Sequence, residues 1–328
     1  SFPGPGRYFT SEAAQAKEAG IELWSNCNSA GLTWDFGNIP YQPAPWQWKK
    51  RWDALKEANR KWGLSGLRES HEYGWDPAFI AELEKEYMTA GGEDFDTLIR
   101  AIAARDYGEE NAEKALSAWR LWSRAAGDYV PTDENQYGPC RIGAAYPFNF
   151  FGRKLQNGWN PPADFPLDDG AEFRICHFDF TEPIGGLGAN AVTLDESSER
   201  KEIELFESQA ADYRAGAALF GEIADSLAPG RRDEARRMAA LGTYLGSACE
   251  TAANLKKGRI AWRAGNRAAV VELARKEYAN AEAALAAVDA DSRLGWLASS
   301  GYTGSRPQIE WKLRKMRELY GEDLNVCR

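Results

Sequence analysis

Apolar positions alternate with polar ones over short stretches in the first third of the chain and recur every three to four residues over long stretches in the last third. The first pattern fits strands half-buried against a core, the second amphipathic helices. EAAQAKEA at 12–19 reads as a short helix stopped by Gly20. The apolar alternation Ile21-Glu22-Leu23-Trp24 then reads as a strand opening into a polar loop. After a Pro- and aromatic-rich loop from Gly31, Pro45 starts a helix that runs through Trp48, Trp52 and Leu55 to about Trp62, where Gly63 ends it. Leu64 to Arg68 is a second strand candidate, and Pro77 opens the next helix through Phe79, Ile80, Leu83 and Tyr87.

Strand, polar loop and helix therefore follow one another twice, at the spacing of βα units. Two such units cannot close a barrel by themselves. From Phe95 the periodicity is helical to Ala126, with a break at Tyr107-Gly108. Residues 127–198 are rich in Pro, Gly, Asn and aromatics, and only Glu172 to Phe180 alternates well enough to predict a strand. Four helical segments follow, at 199–227, 231–264, 267–288 and 306–320, for which an antiparallel bundle is the simplest packing. The expected organisation is a barrel-type portion at 1–90, a helical and loop-rich connection at 91–198 and a helical bundle at 199–328.

Composition narrows the function. A net charge of −9 argues against a nucleic-acid backbone as partner, and no apolar run is long enough to span a membrane. The short basic runs Arg231-Arg232 and Lys256-Lys257 read as solvated helix faces. Five widely spaced cysteines form no CxxC pair, so neither a zinc site nor a disulfide framework is expected, and at least one thiol should be free. The opening SFPGPGRYF carries no readable signal peptide; either a cytoplasmic or a secreted location is compatible with it. Thirteen Trp, 13 Tyr and 14 Phe are the unusual quantity. Indoles stack on the C–H faces of sugars, and they also fill cores.

Arg68-Glu69-Ser70-His71-Glu72-Tyr73-Gly74-Trp75 places carboxylates, a histidine and aromatics just after a predicted strand. Side chains at the carboxyl ends of barrel strands line the common mouth, and sugar hydroxyls need this mixture of acceptors, donors and flat apolar surface. Glu69 is a candidate catalytic carboxylate, with His71, Glu72, Tyr73 and Trp75 as substrate contacts. The bland reading is a helix-capping loop. Trp24, Asn26, Trp34 and Asp35 follow the other strand and form a second cluster, in which Asp35 is a catalytic carboxylate, a sugar ligand or the anchor of an Asx turn. A third cluster, Asp133 to Pro139 with Arg141, and a fourth, His177, Asp179 and Glu182, are polar enough to bind a ligand and turn-like enough to be connections. No nucleophile elbow, P-loop, HExxH or EF-hand motif is present.

The runs AGLTWDFGNIPYQPAPWQW, GLRESHEYGWDP, RDYGEENAEKALSAWRLWS and DENQYGPCRIGAAYPF, with ADSRLGW and IEWKLR near the end, resemble bacterial glycoside-hydrolase-like proteins related at a distance to family 20 hexosaminidases. The resemblance implies a (β/α)8 barrel followed by helices, and acid/base hydrolysis without an organic cofactor or metal. It implies that the catalytic acid lies near the fourth barrel strand, whereas this chain corresponds to the seventh strand onward, so an N-terminal barrel half or a partner chain would supply it. By position Glu69 resembles the last-strand glutamate that holds sugar hydroxyls, and both that role and an acid role stay open. The expected function is a glycoside hydrolase, or the C-terminal part of one, acting on an oligosaccharide. A non-catalytic carbohydrate-binding protein is the alternative, and a helical polysaccharide lyase using His71 or Tyr73 comes third.

Overall fold

The computed structural model describes residues 4–27, 39–69, 78–89, 94–129, 132–151, 161–167, 176–181, 195–297 and 301–324. Helix α1 (Arg7–Glu18) leads into strand β1 (Leu23–Cys27), helix α2 (Pro45–Trp62), strand β2 (Leu64–Glu69) and helix α3 (Phe79–Met88). Pro45 sits in the first turn of α2, and Gly63 closes it with the left-handed φ of 74° that a residue without Cβ adopts freely. β1 and β2 run parallel, with Trp24 opposite Gly66 and Cys27 opposite Glu69; a register shift between Leu23 and Trp24 leaves Ser65 as the extra residue.

Most of the remaining described residues are helical: α4 (Phe95–Tyr107), α5 (Ala112–Gly127), short turns α6 (Asp133–Gln136) and α7 (Pro139–Ile142), then α8 (Glu196–Ser226), α9 (Arg232–Arg263), α10 (Arg267–Ala290) and α11 (Arg306–Tyr320). A two-residue hairpin pair, β3 (Trp296–Leu297) and β4 (Gly301–Tyr302), precedes α11. The expected (β/α)8 barrel, or a terminal arc of one, is therefore corrected. Among the described residues β1 and β2 pair only with each other, and the chain turns helical after them. The physical reason is that α3, α4 and α5 bury their apolar stripes on one another and on α8, so that among the described residues no third parallel strand extends the sheet. The predicted strand 172–180 is corrected in its described part as well. Residues 176–181 carry no strand assignment; Cys176, Phe178 and Phe180 are buried, and His177 N–H donates to Tyr137 O at 2.7 Å.

One core runs through the molecule. Phe79 stacks on Trp119 at 4.3 Å between ring centroids, and Trp122 on Phe220 at 5.2 Å. Trp52, Trp119, Trp122 and Trp311 are fully buried, so much of the aromatic surplus is core filling. Gln47 of α2 donates to Ser123 O at 2.9 Å, and the Ser123 hydroxyl accepts from Trp46 N–H, which ties the β1-α2-β2 unit to α5 and through it to the bundle.

Candidate functional site

β1 alternates in exposure: Leu23, Ser25 and Cys27 are half-buried, whereas Trp24 and Asn26 are exposed. Trp24 is 61% exposed although its indole has a fixed seat. A Cβ on Gly66 would lie 2.4 Å from Trp24 Cε3, so the ring occupies the place where a β2 side chain would stand. The indole thus lies against the sheet backbone and turns its other surface to solvent. The cross-strand pairing sets Asn26 beside Arg68, which is also exposed. The open sheet face carries, in order, an aromatic platform, an amide and a guanidinium.

Below the carboxyl end of β1, on the helix-covered side, a cavity of about 270 Å³ opens between α1, α2 and β1. Gly4 to Gly6, Phe9, Ser25 to Cys27, Arg51 and the α2 face at Ala54, Leu55 and Ala58 line it.

Of the candidates from sequence, Trp24 and Asn26 lie on this face. Glu69 is the last residue of β2, its backbone opposite Cys27. Trp34, Asp35, His71, Glu72, Tyr73 and Trp75 lie outside the described residues. Both segments that hold them leave the same edge of the sheet, because Cys27 and Glu69 are register partners.

The third cluster has a different role. Glu134 is buried and accepts from Lys256 at 3.1 Å and from Arg259. Lys256 also pairs with Glu202 at 2.8 Å, and Arg259 Nε donates to Glu199 at 2.8 Å while its guanidinium sits 4.6 Å from the Phe180 ring centre. Burial alone would raise the Glu134 carboxyl, but Lys256 and Arg259 outweigh it and hold it below its ordinary value. These groups are saturated by one another and fasten α6 to α8 and α9, a structural task. The solvated-face reading of Lys256 is corrected, since Lys256 is fully buried, while Arg231 is exposed. Of the fourth cluster, His177 is half-buried, and desolvation lowers its pKa against the opposing pull of Asp179 and Glu134; Glu182 lies outside the described residues.

Sequence reasoning missed a second internal ion pair. Lys312 of α11 donates to Glu277 of α10 and to Ala144 O at 2.6 Å, and Thr251 and Asn254 of α9 complete the shell around the carboxylate at 2.5 and 2.7 Å. Nothing in the helical periodicity separates these charges from solvated ones. Only their location on inward stripes does so.

Among the described residues no group of three His, Cys, Asp or Glu could hold a metal ion, and no helix is long and apolar enough to cross a membrane. Among the described residues Cys27, Cys140, Cys176 and Cys249 form no disulfide. No family model, no curated protein and no solved structure matches the chain.

Proposed function

We propose that this chain hydrolyses a carbohydrate, or forms the glycan-handling part of a protein that does, with the sugar laid on the open face and carboxyl edge of β1 and β2. The observation that carries this is the Trp24 indole, braced against Gly66 on one side and open to solvent on the other. The C–H face of a pyranose fits such a flat, seated surface at low entropic cost. Asn26 beside Arg68 offers an amide donor and acceptor and a guanidinium for ring hydroxyls. The two carboxylates for acid/base work are Glu69, at the end of β2, and Asp35, in the segment that follows β1. Hydrolysis needs one protonated and one ionised carboxyl on either side of the scissile bond.

Non-catalytic glycan binding is the second reading. It needs only the Trp24 platform with the Asn26 and Arg68 groups beside it, and no carboxylate acting on a bond.

Incubation of the protein with a panel of oligosaccharides separates the chemistries. Hydrolysis gives new reducing ends, abolished by Glu69→Gln or Asp35→Asn with binding retained if these are the acid and base. A lyase gives an unsaturated product absorbing in the ultraviolet. Binding without any product establishes the second reading, and neither binding nor product removes both.

A further inference from the structure

Among the described residues the cavity between α1, α2 and β1 is walled mainly by apolar groups: Pro5 and Phe9 on one side, and Ala54, Leu55 and Ala58 of α2 on the other. Phe9 has a fixed seat, its ring centre 6.1 Å from that of Trp62 and its plane nearly perpendicular. Ala54 and Ala58 stand one turn apart on the same face of α2, and their short side chains leave the room that longer ones would fill. The polar side chains of the lining are engaged or lie at its mouth. The Ser25 hydroxyl donates to Asn26 O at 3.2 Å, and the Arg51 guanidinium is taken up, in part by the Trp48 ring at 5.5 Å. The cavity therefore offers a ligand contact area and not charge. It also adjoins the platform. Asn26 is exposed on the open sheet face that carries Trp24 and lines the cavity as well, so the two spaces meet there. Two residues along a strand is about 7 Å, roughly the span of one sugar ring. The next residue, Cys27, is the register partner of Glu69.

We infer, resting on the carbohydrate reading above, that this cavity holds an aromatic aglycone and that the substrate is an aryl glycoside, its sugar on Trp24 and its phenolic ring against Phe9. Hydrolysis adds water across the bond between the two and releases a free sugar and a phenol, at the edge where β2 ends in Glu69. An apolar cavity of about 150 Å³ is enough for benzene, and this one, at about 270 Å³, admits a substituted ring. An aromatic ring adds to its buried area an offset or edge-on contact with Phe9 that a saturated ring of the same size does not make.

The test is calorimetric titration of the full chain with methyl, cyclohexyl and phenyl glycosides, both anomers, of glucose, galactose, mannose and xylose. For the sugar that binds, the phenyl glycoside is expected to bind at least roughly tenfold more tightly than the methyl one, with the cyclohexyl glycoside between them. Ala54→Phe, which fills the cavity from α2, should bring the phenyl affinity down to the methyl value and leave the methyl glycoside as in wild type. Nuclear Overhauser contacts from the bound phenyl ring to the Ala54 and Ala58 methyl groups of the wild-type protein cover the case in which the variant folds poorly. Equal affinity for methyl and phenyl glycosides, or a cyclohexyl glycoside that matches the phenyl one, overturns the inference and leaves the carbohydrate reading standing. So does a phenyl preference that survives in folded Ala54→Phe, or a bound phenyl ring without those contacts. Absence of binding by every glycoside overturns both.

Discussion

Gly66 decides whether Trp24 is a platform. A side chain there would put its Cβ inside the indole, 2.4 Å from Cε3, so Gly66→Val must drive the ring off the sheet. Because Trp24 is already mostly exposed, the ring can swing into water, and valine suits a strand better than glycine. Gly66→Val should therefore leave the melting temperature close to wild type while weakening glycan affinity by roughly tenfold, the scale of about 1.4 kcal/mol. Calorimetric titration beside a thermal melt checks both halves; unchanged affinity would mean that the indole's seat has no part in binding. At this scale the sequence was informative about residue types at the edge, since Trp24 and Asn26 stand where strand alternation puts them. It was silent about Gly66, because the approach of Trp24 depends on a cross-strand register no local pattern encodes.

At the scale of elements, one side chain of α5 fills a notch between α8 and α9. Trp122 lies over Gly216 and Gly242 and donates its indole N–H to Tyr213 O at 2.9 Å. Alanine in a helix interior is ordinarily better than glycine by about 1 kcal/mol. Here a Cβ on Gly242 would meet Trp122 Cζ2 at 2.5 Å and Tyr213 O at 3.0 Å, and overpacking of a closed core costs about 1–3 kcal/mol. The clash wins, so Gly242→Ala should destabilise by about 1 kcal/mol or more in urea unfolding, and a gain in stability would show that the notch is loose.

Element ends were legible wherever a cap or breaker marked them. The predicted 306–320 helix coincides with α11, opened by the Ser305 and Gln308 capping box, and the end of α2 falls at the residue before Gly63. The start of α1 came five residues earlier than the Ala-rich run implied, because Arg7 to Ser11 add a turn whose apolar residues, Tyr8 and Phe9, are adjacent and show no helical period. The barrel failed for a different reason. Two strand–helix repeats look the same whether they form one βαβ unit or the arc of a larger sheet, and what distinguishes them is tertiary packing of α3 to α5. Residues 132–145 were likewise illegible, since short turns bonded to buried Lys256 and Arg259 have no periodicity of their own.

For the whole molecule, the buried charges set the response to acid. His177 has its pKa lowered from 6.5 by desolvation, so the unfolded chain takes up that proton first and stability declines as pH falls below 6.5. Glu134, held below 4.5 by Lys256 and Arg259 after burial is outweighed, contributes stability that is full above 4.5 and lost as pH falls through its lowered value. Melting temperatures measured by circular dichroism from about pH 7.5 to about pH 3.5 should therefore fall in two stages, a shallow one and then a steeper one. His177→Gln should remove the first and keep the second. A melting temperature flat down to the acid limit would show that neither group is linked to folding.

The central claim is that a glycan lies against Trp24, and the most direct measurement compares two exposed tryptophans of the same protein. Trp24→Ala and Trp262→Ala, the latter 40% exposed at the far end of α9, are titrated calorimetrically with the oligosaccharide that binds wild type best. Trp24→Ala is expected to lower affinity by roughly tenfold or more, with Trp262→Ala unchanged. Wild-type affinity in Trp24→Ala, or an equal loss in both, would contradict a sugar site on this sheet.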